Sequence, residues 1–238
     1  MKVIAIIPAR YESSRFPGKP LTDIAGKPMI RRIYEQVRAC ADIDDVLIAT
    51  DDTRIFNAAA SFGAPVVMTA AECRSGTDRV AQASIGLSAD AVINVQGDQV
   101  VLDRVALSEV ARALRTGLSM VTVATPAVPE EYDDPNCVKV VCNRQGFALY
   151  FSRSTIPYRR SASSIGILKH IGMYGFGVET LKRFTALEPT PLEETESLEQ
   201  LRALENGIPI KVIIASGQYL EINTPEDKER VLASWREY

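Results

Sequence analysis

The strongest constraint on the fold is an alternation in the first half of the chain. Short β-branched, apolar runs at Val3–Ile7, Val46–Thr50, Val66–Met68, Ala91–Val95 and Met120–Thr125 read as strands. Between them, Met29–Cys40, Thr53–Phe62, Thr77–Leu87 and Asp103–Arg115 carry apolar residues at helical spacing. Strands this uniformly apolar are buried on both faces, and parallel neighbours need a long crossover that a helix supplies. The pattern predicts an α/β fold with a mainly parallel central sheet and helices on both faces.

After Val128 the pattern changes. Val138–Asn143 and Ala148–Arg153 flank Arg144-Gln145-Gly146 and read as a hairpin. His170–Phe176 and Ile208–Ala215 read as further strands, with a helical stretch at Glu194–Glu205. Thr224 is placed to cap a last helix, with Pro225 in its first turn and Asp227 completing a capping box. No repeat or low-complexity linker interrupts the 238 residues. The expectation is one domain over 1–238, carrying a small antiparallel insertion at about 128–180.

Composition narrows the function classes. With 27 Lys and Arg against 30 Asp and Glu and no basic block, nucleic acid is not an expected partner. No apolar run approaches the roughly 20 residues that span a bilayer, so no membrane partner is expected, and Met1–Ile7 reads as a strand rather than a signal peptide. Cys40, Cys73, Cys137 and Cys142 have no CxxC spacing and the chain has one histidine, which argues against a zinc site. Reduced cysteines in a cytoplasmic protein are the plain reading.

The first strand runs into Pro8-Ala9-Arg10-Tyr11-Glu12-Ser13-Ser14-Arg15-Phe16-Pro17-Gly18-Lys19-Pro20-Leu21. Loops at the carboxyl ends of parallel strands are where open α/β sheets bind ligands. This one offers Arg10, Arg15 and Lys19, with Gly18 expected to let backbone approach a phosphate. It is neither a Walker A loop nor a GxGxxG turn, which makes a dehydrogenase the least expected reading. Its residues indicate an anion site without naming the nucleotide, and a basic surface loop has the same composition. Further along, strand Ala91–Val95 ends in Gln96-Gly97-Asp98, where a carboxylate facing a triphosphate would suit Mg²⁺; a turn aspartate looks identical.

Ile7-Pro8-Ala9-Arg10-Tyr11, Ser13-Ser14-Arg15-Phe16-Pro17-Gly18-Lys19-Pro20-Leu21, Ser75-Gly76-Thr77-Asp78-Arg79 and Asn94-Val95-Gln96-Gly97-Asp98 together resemble the 3-deoxy-manno-octulosonate (Kdo) cytidylyltransferases. The likeness continues in order through Ala148-Leu149-Tyr150-Phe151-Ser152-Arg153, Lys169-His170-Ile171-Gly172-Met173-Tyr174, Leu198-Glu199-Gln200-Leu201-Arg202 and Thr224-Pro225-Glu226-Asp227. The resemblance implies a nucleotidyltransferase fold and a Mg²⁺-dependent transfer of CMP from CTP to Kdo, for lipopolysaccharide or capsule, in a cytoplasmic homodimer. It implies Arg10, Arg15, Lys19 and Asp98 as the catalytic set. It assigns Ala9, Arg10, Ser14, Lys19, Ser75, Arg79 and Gln96 to the nucleotide, although Ser75 also serves as an ordinary helix start.

For the acceptor, the resemblance implies Arg153, His170, Tyr174, Glu196 and Gln200. Arg153 suits a sugar carboxylate. His170 and Tyr174 share a strand face, and Glu196 and Gln200 lie four apart on the expected helix. A structural histidine and a solvated helix side remain the bland readings of those two pairs. For the metal it implies Asp98 and position 223, where the family usually has aspartate and this chain has Asn223. Gln99-Val100 likewise follows Asp98 where the family often has Glu-Pro. These departures keep open another acceptor, such as an amino-Kdo or another ulosonic acid, and a catalytically weak nucleotide-binding homologue.

Overall fold

The computed structural model describes residues 1–13, 15–160, 166–217 and 219–235. The first strand, β1 (Val3–Ala9), is buried along its whole length. Its two-residue period sends Val3, Ala5 and Ile7 into one hydrophobic core and Ile4 and Ile6 into another, on opposite faces of the sheet. A small ribbon follows, β2 (Asp23–Ile24) and β3 (Lys27–Pro28), then α1 (Met29–Arg38), β4 (Asp45–Thr50), α2 (Thr53–Ser61), β5 (Val66–Met68), α3 (Gly76–Ser84) and β6 (Ala91–Asn94). β1 pairs in parallel with β4 on one side and β6 on the other, and β4 with β5. This is the parallel core expected from the alternation. Apolar residues of α1 join the first core, and those of α3 join the second.

Next come β7 (Gln99–Val101), α4 (Arg104–Arg115), β8 (Met120–Pro126), β9 (Lys139–Cys142), β10 (Ala148–Ser152) and β11 (Leu168–Gly177). β9 and β10 form the expected hairpin, its turn held by Asn143, whose side chain accepts from the amides of Gln145 at 2.9 Å and Phe147 at 3.0 Å. The segment expected as an insertion does not stand apart. β11 pairs antiparallel with β6 and β8, so the nine-stranded sheet runs β10-β9-β11-β6-β1-β4-β5 with β8 also on β11. The reason lies in its side chains. Ile171 and Met173 belong to one core and Tyr174 and Phe176 to the other, so both faces of β11 must be covered.

The chain closes with α5 (Val178–Thr185), α6 (Pro191–Glu196), α7 (Gln200–Glu205), β12 (Lys211–Ile214), β13 (Leu220–Glu221) and α8 (Pro225–Ser234). β12 pairs in parallel with β8, and β13 pairs with β7. The single helix expected over 194–205 is two helices, broken at Ser197, whose φ of 52° is left-handed. Arg153 stabilises the break by donating to the last carbonyls of α6: Glu196 O at 2.7 Å and Ser197 O at 3.3 Å. The cap of α8 is as expected, with Thr224 accepting from Asp227 N at 3.2 Å and Asp227 accepting from Thr224 N at 2.8 Å. Among the described residues no helix is long and apolar enough to cross a membrane.

Candidate active site

The site begins where β1 and β6 end side by side, Ile6 level with Asn94. A Cβ on Gly97 would lie 2.5 Å from the carbonyl oxygen of Pro8, so only glycine lets Gln96-Gly97-Asp98 cross the end of β1 so closely. The basic loop is folded back by Gly18, whose φ is 71° and whose amide donates to Tyr11 O at 2.9 Å. Gly18 therefore serves the turn and packs against the Tyr11 ring; it does not line the cleft, contrary to the expectation that it approaches phosphate.

The cleft has a volume of about 190 Å³, and among the described residues Arg10, Arg15, Lys19, Arg74 and Arg79 line it against a single carboxylate, Asp98. That imbalance makes it an anion site. Arg79 is buried and already paired, donating to Asp51 Oδ2 at 2.7 Å and to the Thr69 hydroxyl, so it braces the wall. Arg10 and Arg15 are exposed and can reach a ligand. Helix α3 starts at the cleft, with Ser75 and Asp78 in a reciprocal capping box, and its amino end adds partial positive charge. Ala9 and Gln96 also line the cleft. Ser14 lies outside the described residues.

Three distant stretches meet at the far end. Lys19 Nζ stands 3.2 Å from Asp98 Oδ2 and 3.4 Å from Asn223 Oδ1, and Arg15 Nη2 is 3.4 Å from the same Asn223 oxygen. Asn223 is fixed by its own amide, which donates to Asp227 Oδ2 at 2.9 Å. One carboxylate and one amide oxygen around a point that attracts an ammonium fit a magnesium ion, which takes few protein oxygens and completes its shell with water and phosphate.

Asp98 and Gln96 also line a second cavity of about 320 Å³, together with His170, Tyr174, Glu199 and Gln200. The Thr122 hydroxyl donates to Met173 O at 2.8 Å, so its oxygen accepts from His170 Nε2 at 2.9 Å. This leaves Nδ1 as the acceptor of a neutral imidazole. Burial pushes the His170 pKa down to about 3, consistent with that neutral form. Tyr174 lies 5.4 Å from His170 between ring centroids, and burial, with Glu199 nearby, pushes its hydroxyl well above the usual range.

Glu199 is a lining residue that helical phase did not single out. It accepts from Thr77 Oγ1 at 2.6 Å through Oε1, while Oε2 is buried without a partner, and burial raises its carboxyl. Gln200 Nε2 is likewise buried and unpartnered. Buried polar atoms are nearly always paired, so these mark where a polar ligand would bind. The signal that could have found Glu199 was its place inside the Leu198-Glu199-Gln200 run.

Two expected acceptor contacts do not reach the cavity. Glu196 accepts from Ser152 Oγ at 2.6 Å and Arg153 N at 2.9 Å, and so latches β10 to α6. The Arg153 guanidinium is spent on the carbonyls of Glu196, Ser197 and Pro135. The left-handed residue Ser197 separates Glu196 from Gln200, so they no longer share a helix face.

An α/β sheet whose first parallel strand opens into a cationic cleft, with one carboxylate shared between that cleft and a second polar cavity, has the layout of a site that brings a phosphate-bearing ligand up to a polar one. Residues 4–213 match the sequence family described as Cytidylyltransferase. The chain is 45% identical to the 3-deoxy-manno-octulosonate cytidylyltransferase of Syntrophotalea carbinolica, with 99% of each chain covered. It is 47% identical to that of Synechococcus elongatus, with 98% of each covered. Its fold matches a CMP:2-keto-3-deoxy-manno-octonic acid synthetase solved with CTP at a TM-score of 0.95, with 39% identity and 98% of each chain covered. The chain belongs to the 3-deoxy-manno-octulosonate cytidylyltransferase family.

Proposed function

We propose that this chain transfers CMP from CTP to the anomeric hydroxyl of 3-deoxy-manno-octulosonate, releasing pyrophosphate. The observation that carries the reading is that Asp98 lines both the cationic cleft and the polar cavity. A group at that junction can face the α-phosphorus and the attacking hydroxyl together. The sugar oxygen forms the new bond to the α-phosphorus as the bond to the bridging oxygen of pyrophosphate breaks, and the hydroxyl proton passes to solvent.

Such transfer depends on positioning and charge neutralisation. Arg10, Arg15 and Lys19 hold the triphosphate, and Gln96 bridges the two ligands. His170, Tyr174, Glu199 and Gln200 fix the sugar hydroxyls. Asp98 and Asn223 would hold Mg²⁺. A divalent cation bound there supplies charge for the phosphates and polarises the hydroxyl. From the family resemblance we also infer a homodimer working in the cytoplasm, and a product consumed by lipopolysaccharide or capsule assembly.

The test is a pyrophosphate-release assay that varies nucleotide, acceptor and metal. Release is expected only with CTP, Mg²⁺ and Kdo together. Folded, CTP-binding protein that stays silent with Kdo would overturn the reading.

A further inference from the structure

Two positions at the junction lack a carboxylate that the family resemblance leads one to expect, Asn223 and Gln99. The structure carries a carboxylate beside both. Glu221 sits on β13 directly across the ladder from Gln99 and accepts from Gln99 Nε2 at 3.4 Å. The amide of Ile222 donates to Asp98 O at 3.0 Å, which stitches this strand to the loop carrying Asp98. Glu221 and Asn223 flank Ile222, one lining the acceptor cavity beside Asp98 and the other touching Lys19 and Arg15.

Gln99 explains why a carboxylate is tolerated at 221. Its side chain is fully buried, and its amide nitrogen meets the Glu221 carboxylate. A carboxylate at both positions would set like charges directly opposite each other on the ladder. Asp98 repels Glu221, while Lys19 and Lys169 attract it, and Lys169 is already held by Glu131 at 2.6 Å. A cation at the junction would separate the two carboxylates, Asp98 and Glu221, that now face one cavity. An amide oxygen in place of a carboxylate removes a formal charge from a hard-cation site, and affinity at such sites follows ligand charge.

We propose that Glu221 supplies the carboxylate that Asn223 lacks, so that Asp98 and Glu221 are the charged protein ligands of the divalent cation and Asn223 contributes a neutral oxygen. This rests on the proposed transfer reaction only in assuming that a cation accompanies CTP.

The experiment measures CTP affinity calorimetrically with and without Mn²⁺, so that the tightening by metal is read apart from turnover. Wild type is compared with Glu221→Gln, Asn223→Asp, and the two combined. Glu221→Gln is expected to lose about tenfold of the Mn²⁺-dependent tightening while its metal-free CTP affinity stays the same. Adding Asn223→Asp should restore the tightening. Unchanged tightening in Glu221→Gln, or none in wild type, would overturn the proposal. A rise in acceptor KM alone, with metal coupling intact, would also overturn it and make Glu221 a sugar contact. Pyrophosphate release run in parallel keeps the readings separate: wild type that couples Mn²⁺ to CTP yet never turns over sinks the transfer reaction and leaves Glu221 to be judged on coupling.

Discussion

The cationic cleft and the acceptor cavity share Asp98 and Gln96 but are made differently. The cleft draws on three runs, Pro8–Pro20, Cys73–Arg79 and Gln96–Asp98, each just beyond or close to a strand end of the parallel core. The cavity draws on Gln96 and Asp98 plus the 136–138 segment before β9, pieces of β11, the 197–200 turn and β13. Long, exposed arginines in the cleft can follow a mobile triphosphate, because charge neutralisation tolerates loose geometry. The cavity instead holds buried hydrogen-bonding groups, some without partners, whose directions are set by packing. A triphosphate is recognised mainly by charge, a polyol by fixed donors and acceptors.

The comparison yields ordered expectations. Asp98→Asn removes the group both hollows use, so kcat should fall about 10³-fold. Binding of CTP, followed calorimetrically without metal, should survive; an activity loss of less than tenfold would remove Asp98 from the shared centre. Lys19→Met should act on one side only. Loss of a charged donor predicts roughly a 100-fold drop in kcat/KM for CTP with acceptor KM unchanged, checked by varying each substrate in turn.

His170→Gln should act on the other side, raising acceptor KM about tenfold while CTP KM holds. Equal effects on both substrates from either variant would mean that the two hollows work as one. A further effect is in pH. Because the His170 pKa is lowered to about 3, the ring stays neutral in the native chain while its unfolded counterpart takes up a proton below 6.5. Its contribution to stability is present above pH 6.5 and is lost as pH falls toward 3. Denaturant melts at pH 7, 5 and 4 should show a shallower acid-side fall in His170→Gln than in wild type.

The same contrast explains what could be read beforehand. The Arg10–Leu21 loop and Asp98 were legible because phosphate chemistry uses contiguous, chemically distinctive residues at strand ends. His170 and Tyr174 were reachable from strand alternation, although the ladder slips between Ile171 and Tyr174. Arg153 and Glu196 had the right chemistry for a sugar acid and were turned to another task, since the last carbonyls of a helix that ends at Ser197 have no partner within the helix and Arg153 supplies one. Serine at a left-handed position carries no local warning, unlike glycine.

Lys139 teaches the same lesson. It is completely buried, and its ammonium donates to the carbonyls of Asp134 at 2.8 Å, Cys137 at 2.6 Å and Arg153 at 2.5 Å. A charge in the interior is tolerated there because every proton has an acceptor. A lysine between valines in a strand does not advertise those three carbonyls.

Local chemistry alone therefore determined the parallel core, the cationic loop and the carboxylate after β6, because hydrophobic period and phosphate-binding residues act over a few positions. Tertiary structure alone decided that β11 enters the central sheet, that 194–205 breaks at Ser197, and that Glu221 stands beside Asp98. Each of those outcomes depends on contacts between groups far apart in sequence: covers for both faces of β11, carbonyl partners for a helix end, and a strand pairing that sets Glu221 opposite Gln99. No local pattern encodes such contacts.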